Sequence, residues 1–485
     1  MKSQYRDIIK HSGVYGLGQV LSRLASVLML PLYTHYLRPA DYGTIAILDL
    51  TAGILTIIVG GGMVSAVSRH HFDTDVLHEQ NAVWWTGLMV VVALATAAVV
   101  PAFWVRAPLA RLTLGPEQLS GAYFYGLMLP TLWFGTVSQI PDQYMRIRKW
   151  SWLTVGVSLG GLIFNIALNI YFVAVLGLGV AGVLWGNLTA GIVTALVRFS
   201  VMAGACGRPT FRWSVADQLW RFGSPMVVAG LLALVMHQAD RYLLRLSRDL
   251  SEVGVYSLAY TVGQGLNAMV FIPFTAIWGV VIYELAKQPD ARKAFVRVFE
   301  YYAYGLMLFL LGVSLFVKPI LALFLPSEYQ AAGSLVPIVC LAFLCYSTHE
   351  HFKVPSLLAK KTINMLPAYG SGAVANVVLN LLVLPTYGAV GAAWTSVATY
   401  AIFSSVGLLR YRQIDRYDYP LFRCTLVLLA MIATFVACQR VVDGIGLTRI
   451  AALAVPTVVW LGWAAVLLRP LLKAQFFQRT PAAAS

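Results

Sequence analysis

The sequence predicts an all-α polytopic membrane protein. About fourteen transmembrane helices are expected, as two parallel six-helix lobes around a central cavity plus two C-terminal helices. Three observations carry this. Of the 485 residues, 59% are hydrophobic and only 11% are charged, against about 25% charged in a soluble chain. Such a chain cannot cover an aqueous surface of this size, so most of its exterior must face lipid. Apolar stretches of about twenty residues recur along its whole length, enough for a helix to cross a hydrocarbon core about 30 Å thick. Finally, the first and second halves resemble each other at a nearly constant offset.

The expected spans lie near residues 12–36, 43–67, 82–105, 119–140, 151–174, 178–200 and 217–245, then 254–283, 296–317, 332–356, 363–384, 388–409, 421–440 and 450–468. The third and fourteenth contain no charge, whereas the seventh and tenth are the most polar. With the N-terminus inside, cytoplasmic segments hold 25 Lys and Arg and the opposite loops about 8. That bias places both termini in the cytoplasm. The segment from Met1 to Gly13 is polar, with Lys2, Arg6 and Lys10, and reads as a retained cytoplasmic end.

The net charge of +15 would suggest nucleic acid in a soluble protein. Here the basic residues form short clusters between apolar runs, so nucleic acid is not an expected partner. Cys206, Cys340, Cys345, Cys424 and Cys438 include no CxxC pair and no Cys/His metal spacing, and they read as small apolar side chains. No metal or cofactor is expected. The longest external loops, around 106–119 and 318–330, are about a dozen residues, so the chemistry must occur within the helix bundle. The expected divisions are an N-lobe at 1–205, a C-lobe at 206–412 and an extension at 413–485.

At a shift of 211 residues, Gly43 meets Gly254, Glu117 meets Glu328, Lys149 meets Lys360, Asn165 meets Asn376 and Asn169 meets Asn380. After a loss of two residues, Gly179-Val-Ala-Gly182-Val-Leu-Trp185 falls on Gly388-Ala-Val-Gly391-Ala-Ala-Trp394. An even number of helices per half gives parallel repeats about an axis along the membrane normal, an arrangement that places a site between two rocking lobes. The Asn-x-x-x-Asn pairs share one helix face. They suit interhelical hydrogen bonding, or contacts to a sugar or headgroup. The small-residue motif suits close helix packing.

These residues also carry a resemblance. The run from Asn376 through Asn380, Pro385, Gly388 and Gly391 resembles the Asn-x-x-Leu-Asn…Pro-x-x-Gly-x-x-Gly-Ala-Ala pattern of bacterial polysaccharide flippases. Tyr36-Leu-Arg-Pro-Ala-Asp41-Tyr-Gly43 and Ala239-Asp240-Arg241, followed by Glu252-Val-Gly254-Val-Tyr256-Ser, match as well. Over roughly residues 10–410 the chain is similar to the Wzx-like branch of the multidrug/oligosaccharidyl-lipid/polysaccharide exporter superfamily. The resemblance implies a V of two lobes that exports an oligosaccharide linked to a polyprenyl pyrophosphate, for a surface polysaccharide such as an exopolysaccharide or O-antigen. Implied partners are that lipid-linked oligosaccharide, membrane lipids, and the polymerase and export proteins of a polysaccharide pathway. The first span lacks the arginine-rich signature of peptidoglycan-precursor flippases. It also lacks the carboxylate of cation-coupled drug exporters and holds Arg23 instead. A cation-coupled small-molecule exporter is one alternative. A membrane-embedded glycan polymerase or glycosyltransferase is another, although no large catalytic loop or acidic pair is evident.

Ionisable groups inside a bilayer are costly and mark function by default. Arg23, Asp49, Asp240, Arg241 and Glu350 fall opposite Leu234, Tyr260, Met29, Leu30 and Gln139 in the other half, so the duplicated scaffold requires none of them. Arg23, near mid-depth, suits a pyrophosphate because its planar fork matches phosphate oxygens, or forms an ion pair, for instance with Asp49. His237, Arg241 and Arg245 share a face of the seventh span. They read as a cationic track, or as an external rim in which Asp240 ties arginines to a loop. Gln264 and Asn267 are candidates for sugar hydroxyls. His349-Glu350-His351 with Lys353 reads as a proton-coupling group or as structural polarity. A metal site is disfavoured because the two histidines point to different faces.

Overall fold

The computed structural model describes residues 29–444 and 449–477, and every regular element among them is helical. They comprise α1 Leu30–Tyr36, α2 Pro39–Gly60, α3 Met63–His70, α4 Leu77–Trp104, α5 Arg106–Leu114, α6 Gly121–Val137, α7 Gln139–Ile147, α8 Ser151–Asn169 and α9 Gly179–Ala205. After these come α10 Trp213–Ser247, α11 Leu250–Leu285, α12 Ala291–Phe324, α13 Ala332–Phe352, α14 Val354–Leu358, α15 Leu366–Tyr411, α16 Leu421–Gly444 and α17 Arg449–Phe477. Nine helical stretches among the described residues are long and apolar enough to cross a bilayer, and Leu453–Leu467 is a shorter apolar one. Each expected span from the second onward has a helix. Most of the first lies outside the described residues.

Compact packing divides the chain into two units. One holds the described residues up to Thr261 together with Tyr369–Thr399, and the other holds Val262–Ala368 and the residues from Tyr400 onward. The unit boundaries fall inside α11 and α15.

The local chemistry explains where helices start and stop. Pro39 occupies the first turn of α2, where its missing N–H costs nothing. The Arg38 N–H donates to the Asp41 carboxylate at 3.0 Å, satisfying an otherwise orphaned donor. Helix α15 covers two expected spans and breaks at Gly388, whose φ of 52° and ψ of −135° suit glycine. Its repeat partner Gly179 also has positive φ, 56°, at the start of α9.

The duplication extends to single hydrogen bonds. Lys149 (φ 59°) and Lys360 (φ 57°) are the only non-glycine residues with positive φ among those described. Trp150 N–H donates to Met145 C=O at 3.0 Å, and Lys361 N–H donates to Ser356 C=O at 2.9 Å. These are two helix ends closed by the same left-handed motif, at the same offset the sequence shows.

In the first unit, Met63, Val67, Trp84, Leu88, Tyr144, Met202 and Leu219 form a core among α3, α4, α7, α9 and α10. Trp84 Nε1–H donates to His71 Nδ1 at 3.1 Å, and Trp85 Nε1–H donates to the Cys206 carbonyl at 3.2 Å. The polarity of α15 is inverted relative to a soluble helix. Leu382 is 71% exposed, whereas Asn376 and Asn380 are fully buried. Lipid offers no hydrogen bonds, so the amides must find partners inside. Asn376 Nδ2 donates to Met236 C=O at 3.3 Å, and Thr395 Oγ1 donates to Asn380 Oδ1 at 2.7 Å. In the second unit, Trp460 of α17 donates to the Leu308 carbonyl at 3.0 Å, with its indole seated over Gly312.

Candidate functional site

A cavity of about 330 Å³ lies within the first unit, lined by α1, α2, α8, α9, α10 and the first part of α11. Its polar groups are Tyr33, Tyr42, Asp49, Asn165, Asn187, Gln238, Arg241, Ser257 and Thr261. Asp49 and Arg241, far apart in sequence, therefore share one chamber.

The guanidinium of Arg241 is fixed on several sides. It stacks over the Tyr260 ring at 4.3 Å, an arrangement worth about 0.5–2 kcal/mol. Nη1 donates to the His237 carbonyl at 3.4 Å and lies 3.7 Å from Asp240 Oδ1. Asp240, only 1% exposed, accepts from Tyr256 Oη, from Ser396 Oγ at 3.4 Å and from the Arg241 N–H at 2.9 Å. A carboxylate taken out of water costs several kcal/mol unless so paired. Asp240 thus stands behind Arg241 and positions it, while Asp49 is open to the cavity.

A hydroxyl chain holds α10 against α2. Thr51 Oγ1 contacts Tyr242 Oη and lies 3.3 Å from Tyr125 Oη, which is 2.7 Å from Thr113 Oγ1. Such a satisfied buried network rigidifies the segment carrying Arg241. Residues related by the repeat also converge here. Leu30 and its counterpart Arg241 line the same cavity, and Tyr260, the counterpart of Asp49, carries the Arg241 guanidinium.

Of His237, Arg241 and Arg245, Arg241 lines the cavity. Arg245 caps the end of α5, donating to the Leu114 carbonyl through Nη2 at 2.7 Å and Nε at 3.2 Å, and pairs with Glu117. Asp240 takes no part in these contacts, which Arg245 makes itself. Gln264 and Asn267 belong to the second unit, where Asn267 Oδ1 accepts from Ser347 at 3.2 Å. Also in that unit, Glu350 pairs with Lys353 at 2.6 Å. His349 stacks on Phe403 at 4.0 Å and meets Tyr411 Oη at 3.3 Å. His351 sits among the rings of Phe274, Trp278, Phe299 and Tyr302. The two histidines do point to different faces. Arg23 lies outside the described residues.

Sequence reasoning missed Tyr33, Tyr42, Asn187 and Gln238, and left open the role of the Asn pairs. Asn165 Nδ2 donates to Asn187 Oδ1 at 2.9 Å, and Asn169 Nδ2 donates to Asn165 Oδ1 at 3.1 Å. The first pair thus bonds across helices and also reaches the cavity, whereas the second is wholly buried. A signal was present at Asn187, whose repeat counterpart is Ser396. An amide added where the other half has a hydroxyl marks a departure from the shared scaffold.

Comparison with known proteins agrees with this architecture. Residues 8–278 match the model of the polysaccharide biosynthesis protein family. Over 293 residues, 59% of this chain, the sequence is 26% identical to the succinoglycan biosynthesis transport protein ExoT of Rhizobium meliloti (strain 1021). The match spans about half of that relative's length, 54%. The fold is similar to that of the lipid II flippase MurJ in an inward closed conformation, at a TM-score of 0.72 and 12% identity over 96% of this chain and 100% of that one. It is also similar to an inward-facing multidrug resistance MATE family transporter of the MOP superfamily, at 0.63 and 15% over 81% and 97%. The chain is thus a multi-pass, all-helical membrane protein with the fold of these transporters. The family model covers more than half of the sequence, and the chain belongs to the polysaccharide biosynthesis protein family.

Proposed function

We propose that this protein is an inner-membrane flippase that moves a polyprenyl-pyrophosphate-linked oligosaccharide from the cytoplasmic to the periplasmic leaflet for surface polysaccharide biosynthesis. The observation that carries the reading is a polar cavity holding Asp49 and Arg241 among spanning helices, in a chain of this family. Ionisable groups at that depth are retained where a hydrophilic cargo must pass. The glycan headgroup crosses inside the protein while the prenyl tail stays in lipid. Alternating access arises from the lobes at 1–205 and 206–412, with 413–485 outside the repeat and both termini cytoplasmic. Arg23 anchors the pyrophosphate through its planar donor fork. Similarity to a succinoglycan transport protein and to the fold of a lipid II flippase supports a lipid-linked glycan as cargo.

A deletion strain tests the reading. It accumulates a defined lipid-linked oligosaccharide on the cytoplasmic face, and the purified protein in vesicles moves that lipid across the bilayer. Arg23→Ala abolishes movement at near-normal abundance, and Arg23→Lys restores part of it. Drug efflux independent of any glycan pathway favours a cation-coupled exporter. Glycan chain growth by the purified protein favours a polymerase or glycosyltransferase. Full activity of Arg23→Ala removes the anchor.

A further inference from the structure

We infer that the Asp49–Arg241 cavity is a subsite for one uncharged sugar ring of the cargo, and that the pyrophosphate is held elsewhere. This rests on the flippase reading. The cavity's charges oppose each other: one carboxylate, Asp49, and one guanidinium, Arg241, line it. That guanidinium already lies 3.7 Å from Asp240 and is stacked on Tyr260. A pyrophosphate brings at least two negative charges, and a chamber that also presents Asp49 would repel it. A pyranose brings the opposite demand: several neutral hydroxyls, each both donor and acceptor, and an apolar ring face.

The lining meets that demand. Asn187 Oδ1 is occupied by Asn165 at 2.9 Å, which leaves the Asn187 amide N–H groups for the cavity. Asp49 accepts hydroxyl donors, and Gln238 offers both an acceptor and a donor. Tyr33 and Tyr42 add aromatic surface. The volume of about 330 Å³ is at the small end of ligand cavities. It suits a single ring, with the remaining sugars outside it.

The test uses the full chain in nanodiscs. The probes are the free oligosaccharide released by mild acid from the glycan lipid of the deletion strain, and inorganic pyrophosphate. Calorimetry should register saccharide binding that Asn187→Ala and Asp49→Asn each weaken by about tenfold or more, and pyrophosphate should not compete. Gln238→Ala, whose melting temperature is measured alongside, provides a second lining variant if Asn187→Ala fails to fold, and it should weaken saccharide binding as well. Competition by pyrophosphate in wild type, or no saccharide binding by wild type, overturns the subsite. Wild type that flips the intact lipid while failing these tests leaves the flippase reading standing. Wild type that flips no glycan lipid overturns that reading itself.

Discussion

Gly43 and Gly254 lie back to back. A β-carbon on Gly43 would enter the Leu250 carbonyl, and one on Gly254 would enter the Pro39 carbonyl. The two are equivalent positions of the duplicated sequence, so the N-termini of α2 and α11 meet at a symmetric crossing that only glycine permits. Backbone cannot rotate aside as a long side chain can. Gly43→Ala and Gly254→Ala are each expected to destabilise the protein by about 1–3 kcal/mol, the cost of overpacking. Thermal unfolding in detergent measures this, and unchanged melting for both variants would remove the close-crossing argument.

Arg245 and Glu117 form an ion pair whose two partners contribute unequally. The Glu117 side chain is 58% exposed, so the pair itself is worth at most about 1 kcal/mol. The bonds from Arg245 to the Leu114 carbonyl are made by a guanidinium only 15% exposed, and charged hydrogen bonds contribute about 1.5–3 kcal/mol. Arg245→Ala should therefore lower the melting temperature clearly more than Glu117→Ala. Equal losses would show that the ion pair, not the helix cap, matters.

Glu350 carries its counter-ion with it, because Lys353 lies one helical turn away at 2.6 Å. We expect Glu350→Gln to transport with the same dependence on an imposed proton gradient as wild type. The measurement is export by reconstituted protein with the gradient imposed, reversed and collapsed. Loss of gradient dependence in Glu350→Gln, with transport retained, would instead make this carboxylate the coupling group.

His71, just beyond α3, must stay neutral to accept the Trp84 indole N–H at Nδ1. Burial, with Arg148 adding to it, holds its imidazole below the ordinary value of 6.5. The unfolded chain therefore binds this proton more readily. The His71 contribution is complete above about pH 6.5 and declines as pH falls toward its lower folded value. Melting temperatures between pH 5 and 7.5 should fall on acidification in wild type and fall less in His71→Gln. Parallel curves would sink the assignment.

The basic-residue bias predicts that reporter fusions after residues 110 and 325 appear periplasmic, and those after 205 and 415 cytoplasmic. A cytoplasmic signal at 325 would contradict a second half inserted parallel to the first.

Much of this protein was determined by sequence alone. A bilayer demands long apolar helices, and that demand is written in composition, so the helices follow hydropathy from the second span onward. The duplication was equally legible, since matching residues at one offset must adopt matching conformations. Lys149 and Lys360 do so in the same left-handed helix end, as do Gly179 and Gly388 at their breaks. What sequence could not decide was which polar groups face a shared space, because that depends on helix rotation and on neighbours distant in the chain. Asn165 and Asn376 are interchangeable on paper. Packing puts the first at the cavity beside Asn187 and buries the second against Met236. Asp240 and Arg241 are adjacent in sequence, yet one is a buried support held by Tyr256 and Ser396 and the other a wall of the site. A helix turns by about 100° per residue, and only the tertiary neighbours on each side decide what that rotation means.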